Sequence, residues 1–127
     1  MAPRSLRRED IPRQRRLFGM DENKRILFEK QAEIAKAVSH PLRIAVIEYL
    51  KDGEQCVCDI AAYVDSERSN VSRHLSVMVN AGVLSYRKEG LKVFYSLKTP
   101  CIIDFFTCVT RVLKQQAREN EQLLASL

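Results

Sequence analysis

No apolar run in this chain approaches the roughly 20 residues that a membrane-spanning helix requires. The longest candidate, Cys101 to Phe106, is interrupted by Asp104. The N-terminus lacks the apolar stretch of a secretory signal, so a cytoplasmic protein with no membrane partner is expected. Glycine is scarce, at four residues, and the four form no phosphate-binding loop. No Ser-His-Asp or Cys-His-Asn set stands out, and 127 residues is short for a catalytic cleft. The reading is therefore not an enzyme.

What the chain does have is enough apolar content, 46%, to build one small core. Its charge is unevenly spread. Residues 1–16 hold six arginines against Glu9 and Asp10, a net +4 of the whole chain's +5. With two prolines and little periodicity, residues 1–23 read as a basic, flexible arm ahead of a folded domain at 24–125. Such an arm can track DNA phosphates, or simply be a solvated tail.

Hydrophobic spacing then lays out a series of elements. Leu27, Ile34 and Val38 share one face of a helix over 24–38. Ser39-His40-Pro41 reads as a stop and restart, with Ser39 as cap, Pro41 in the first turn and His40 a local structural residue. The new helix runs to about Leu50, and Lys51 to Glu54 make a turn. A short helix over about Val57–Val64 and one of roughly 13 residues ending at Ala81-Gly82 form a helix-turn-helix. The β-rich runs Val83–Lys88 and Lys92–Leu97, around Glu89-Gly90-Leu91, read as a hairpin, which after a helix-turn-helix is a wing. Thr99 as cap and Pro100 in first position open a last helix to about Leu124. Its stripe of Ile102, Phe105, Phe106, Val109, Val112 and Leu113 exceeds what one small core needs and points to a homodimer. The fold class is mainly α with a small β-hairpin: a winged helix-turn-helix.

The second helix of the pair has two faces. At about 100° per residue, Val71, Leu75, Met78 and Val79 fall in one apolar sector. Ser69, Ser72, Arg73 and Ser76 lie opposite, with Asn70 at the edge and Arg68 at the start. That outer face is short, polar and free of acid, as a helix entering the major groove of double-stranded DNA has to be. Arg73 can pair with guanine or phosphate and Asn70 with adenine. Ser69 and Ser72 can donate to phosphates, and Arg87, Lys88 and Lys92 around the wing tip suit the flanking backbone. His74, beside the apolar sector, is expected to pack rather than read bases.

Taken together, Ser39-His40-Pro41-Leu42-Arg43-Ile44, Val71-Ser72-Arg73-His74-Leu75, Ala81-Gly82-Val83-Leu84, Arg87-Lys88-Glu89-Gly90 and Tyr95-Ser96-Leu97 resemble the ArsR/SmtB family of metal-sensing repressors. The resemblance spans about residues 24–115. It implies a homodimer on operator DNA, released when a ligand binds. Within that family Cys56-Val57-Cys58-Asp59-Ile60 looks like the thiolate motif of the arsenic sensors and of the cadmium/lead sensor CadC. The chain departs from its relatives in several places. Ala61 stands where some arsenic sensors carry a third cysteine, and the arm has none of the cysteines that CadC uses. Thr99-Pro100-Cys101 replaces an Asp-x-His start to the last helix, and Arg68 stands where many relatives have Gln.

Four reduced cysteines, in the pairs Cys56/Cys58 and Cys101/Cys108, are then the metal-ligand candidates. Two thiolates on one zinc-like ion lie only about 4 Å apart, given bonds of about 2.3 Å. Cys101 and Cys108 share a helical face, but seven residues rise roughly 10 Å, so they cannot chelate one ion along a straight helix. Cys101, at a helix start where the dipole favours an anionic sulfur, is the third ligand expected beside Cys56 and Cys58. Cys108 is the weakest candidate, being equally readable as a core residue. Three sulfurs suit As(III) or Sb(III) as inducer. Cd or Pb with a fourth thiolate, or a thiol redox or persulfide switch on the same fold, are the alternatives.

Overall fold

The computed structural model describes residues 21–127. The basic arm over residues 1–16 lies outside them. The first helix, α1 (Glu22–Val38), starts inside the stretch assigned to the arm, because Asp21 caps it by accepting the Lys24 N–H at 2.8 Å. Helix α2 (Pro41–Leu50) follows with Pro41 in its first position, as expected.

The cap of α2 differs from expectation. His40, not Ser39, has the extended backbone that the position requires, and its Nδ1 accepts the Leu42 N–H at 3.1 Å. Ser39 instead closes α1, donating its hydroxyl to the Lys36 carbonyl at 3.1 Å.

Two residues, Gln55–Cys56, form a strand (β1) that the sequence reading places in no element. Helix α3 (Val57–Val64) starts directly after it and ends at Asp65, which takes the left-handed conformation at φ 50°. There the Ser66 N–H reaches back to the Ala61 carbonyl at 3.1 Å. Helix α4 (Arg68–Asn80) ends as predicted: Gly82 at φ 83° lets the Val83 N–H bond the Met78 carbonyl at 2.9 Å.

The hairpin consists of β2 (Leu84–Glu89) and β3 (Lys92–Leu97), joined by Gly90-Leu91 with Gly90 at φ 61°. Strand β1 adds to the other edge of β3, so the antiparallel sheet runs β1-β3-β2 with Cys56 opposite Phe94 and Phe94 opposite Arg87.

The last helix, α5 (Cys101–Ala125), carries a second correction. Thr99 does not cap it; its hydroxyl is drawn to the Val83 carbonyl at 3.4 Å, and Pro100 takes the cap position.

The core lies between α2, α3, α4 and the base of the hairpin. Val46, Ile60, Val71, Leu75, Met78 and Val83 have no exposed surface. Helix α5 contributes no buried residue and leans on this body through Ile102, Ile103 and Phe106. Among the described residues no helix is long and apolar enough to cross a membrane.

Candidate nucleic-acid interface and thiol pair

Helix α4 divides as its periodicity predicts. Val71, Leu75 and Met78 are buried, whereas Arg68, Ser69, Ser72, Arg73 and Ser76 are exposed and Asn70 is half-buried at the edge. The outer face keeps an orderly set of local bonds. Ser76 donates to the Ser72 carbonyl at 2.9 Å. Asn70 donates to the Ser66 hydroxyl at 2.9 Å and accepts from Arg73 at 3.1 Å. No acidic side chain stands within α4, so its exposed face is free of repulsion toward phosphate.

His74 packs, as expected. Its Nδ1 accepts from Arg43 Nε at 3.0 Å, and its ring centroid lies 4.5 Å from that of His40. Arg43 also donates to the Ala37 carbonyl at 3.3 Å, which pins α4 to the α1–α2 junction. Burial, then the charges of His40, Arg43 and Arg73, hold the His74 imidazole below its ordinary range.

At the wing, Lys88 and Lys92 are exposed beside the Gly90 turn. Arg87 is placed otherwise. Its guanidinium is bound side-on by the Glu54 carboxylate, bonds Glu89 at 2.7 Å, and lies 4.7 Å over the Phe94 ring. These carboxylates raise its pKa further, and it lowers that of Glu54. Arg87 thus braces β2 across β3 to the residue that leads into β1. Spacing alone gave no sign of this, because Glu54 and Arg87 are 33 positions apart.

The thiol pair sits at the β1–α3 junction. Cys56 is the cap residue of α3, extended at φ −77° and ψ 156°, while Cys58 lies in the first turn. Consecutive helical positions two apart point about 200° away from each other, but Cys56 stands ahead of the helix and escapes that constraint. Cys56 is buried and donates its thiol to Asp59 Oδ2 at 3.2 Å; Cys58 is exposed. Cys101 and Cys108 are exposed on α5. Among the described residues no group of three or more His, Cys, Asp or Glu side chains gathers as metal donors. One protomer therefore brings Cys56 and Cys58 to one junction but does not bring Cys101 or Cys108 to them.

Residues 40–86, which hold the helix-turn-helix, match the profile of bacterial regulatory proteins of the arsR family. The regulator Rv0081 of Mycobacterium tuberculosis is 30% identical over 102 residues, which cover 80% of this chain and 90% of that one. The chain belongs to the ArsR family. The Rv0081 crystal structure superposes with a TM-score of 0.64 at 30% identity, over 74% of this chain and 95% of that chain. A cadmium resistance regulator of Staphylococcus aureus, a CadC homologue, is 42% identical over 67 residues, 52% of this chain. The match spans about half, 55%, of that relative's length. The homodimeric winged helix-turn-helix domain of Mb0332 from Mycobacterium bovis shares the fold at TM-score 0.68 and 23% identity, over 80% of this chain and 94% of that one. ArsR-family relatives of this kind are DNA-binding transcriptional regulators, not enzymes, and the family includes repressors that respond to metals.

Proposed function

We propose that this ArsR-family protein is a homodimeric repressor whose operator complex is released by a thiophilic metal(loid) held by cysteine thiolates, As(III) or Sb(III) first and Cd or Pb as the alternative. The observation that carries this reading is the position of Cys56 in extended backbone directly before α3, with Cys58 one turn-start later. Two sulfurs so placed can turn toward one ion without unwinding a formed helix. Cys56 and Cys58 fit as a soft donor pair, and no His or carboxylate cluster competes among the described residues. A third thiolate comes from Cys101, with Cys108 the lesser candidate, by approach of α5 or from the partner subunit. Operator contacts fall to Arg68, Ser69, Ser72, Arg73 and Ser76 in the major groove, with Asn70 at its edge and Lys88 and Lys92 on the backbone.

Coupling is short. Helix α3 carries the thiol pair at its start and the turn into α4 at its end, so reshaping the Cys56–Cys58 turn tilts the support of the reading helix. A shift of that kind needs a coupling of only about 1–3 kcal/mol to change operator affinity 5- to 150-fold. The test is an operator-binding titration against arsenite, antimonite, cadmium, lead and peroxide. Cys56→Ser and Cys58→Ser are each expected to keep operator binding and lose release by arsenite; Cys101→Ser weakens the response and Cys108→Ser does least. Release of the Cys56/Cys58 double variant at the wild-type arsenite concentration would put the sensing site elsewhere.

A further inference from the structure

Asn70 lies at the edge of the α4 reading face, yet both ends of its carboxamide are engaged along the protein. Nδ2 donates to Ser66 Oγ at 2.9 Å, and Oδ1 accepts from Arg73 Nη2 at 3.1 Å. An asparagine that reads adenine has to turn both its N–H and its carbonyl outward together. Here that edge is occupied and the residue is half-buried, while Arg73 beyond it is exposed. Ser66 is itself fixed, because its N–H bonds the Ala61 carbonyl at 3.1 Å at the close of α3.

We infer that Asn70 is a positioning residue that aims the Arg73 guanidinium into the groove, through the relay Ser66–Asn70–Arg73, and does not itself read a base. Arginine has five donors on a long flexible stem. Tying one Nη hydrogen back to Asn70 selects a rotamer and leaves the remaining donors for a guanine edge. The relay starts in the α3–α4 turn, so the aim of Arg73 is referenced to α3. This inference rests on Arg73 contacting a base, as proposed above.

The experiment uses the full chain and a site selected by it from a randomised duplex pool. Affinities are measured for that site and for each of its single-base-pair variants. Asn70→Ala is expected to lower discrimination about three- to tenfold, the worth of one hydrogen bond. The loss falls at the same base pair where Arg73→Ala acts. In an Arg73→Ala background, Asn70→Ala costs no further discrimination. Asn70→Asp keeps the acceptor for Arg73, so it retains discrimination while affinity for every duplex falls. Ser66→Ala gives a weaker copy of Asn70→Ala. Alanine favours helix at this position, so folding is not in question, and helical content measured alongside verifies it. Loss at a different base pair, or additive losses in the double variant, would make Asn70 a base reader and overturn the inference. If Arg73→Ala changes no discrimination at all, the reading of Arg73 fails instead.

Discussion

His74 stands where the reading helix meets the α1–α2 junction, and its environment makes a claim about acid. Arg43 donates to its Nδ1, so the imidazole is neutral with its proton on Nε2. Burial first, then His40, Arg43 and Arg73, hold it below its ordinary value of 6.5. Above that value the folded and unfolded chains are both neutral at this residue. As the pH falls through it, the unfolded chain takes up a proton that folded His74 refuses, and stability drops until the folded residue titrates too. The carboxylates Glu22 and Glu54, lowered by Arg25 and Arg87, lose their contribution in a separate window below about pH 4.5. The urea midpoint is expected to fall between about pH 7 and pH 5, and to fall less in His74→Gln, whose amide can still accept from Arg43. An acid limb of the same size in the variant would remove His74 as its cause. That His74 packs was legible from its place beside the apolar sector. That His40 caps α2 in place of Ser39 was not, because both residues accept hydrogen bonds and only the backbone angles choose between them.

At the scale of elements, the helices and the hairpin followed from periodicity, turn residues and caps, because each repeats its signal several times. Strand β1 did not, since two residues show no alternation and its pairing with β3 spans about 40 positions of sequence. Yet β1 is what joins the wing to the thiol junction. Cys56, Phe94 and Arg87 lie in one row across the sheet, and Glu54 grips Arg87 over the top of it. Arg87 was legible as a basic wing residue; its carboxylate partners were not. The difference is measurable in salt. Each lysine that neutralises a phosphate adds about 0.9 to the slope of log affinity against log salt. In the proposed homodimer each substitution removes the contact from both subunits, so Lys88→Gln and Lys92→Gln are each expected to lower that slope by about 1.8, whereas Arg87→Gln leaves it unchanged. A slope reduced equally by Arg87→Gln would mean that its guanidinium leaves Glu54 for a phosphate when DNA binds.

On the scale of the whole molecule, the outstanding feature is apolar surface that no other described residue covers. Helix α5 exposes Phe105, Val112, Leu113, Leu123 and Leu124, and α1 exposes Leu27 and Phe28. An open groove of about 800 Å³ runs between α2 and α5, lined by Ile44, Tyr63, Phe106, Val109 and Leu113 among others. The excess of apolar residues on the last helix was readable in the sequence; that α1 shares in it was not, because Leu27, Ile34 and Val38 share one helical face and spacing does not tell that only Val38 is buried. Apolar patches of this extent mark interfaces, and a two-fold axis would let the same surface cover itself. Leu113 is 58% exposed, so replacing it leaves the core of one subunit untouched. Burying a leucine is worth about 1.5–3 kcal/mol, and a symmetric interface counts it twice. Leu113→Glu is therefore expected to raise the dimer dissociation constant by about two to four orders of magnitude, read by sedimentation at micromolar concentration. Operator affinity falls with it, because a monomer engages one half-site and loses the effective concentration of the second reading helix. Far-ultraviolet helicity stays the same. A Leu113→Glu protein that sediments as a dimer at that concentration would move the interface off this face, and the operator assay on the same sample would then show whether two reading helices still act together.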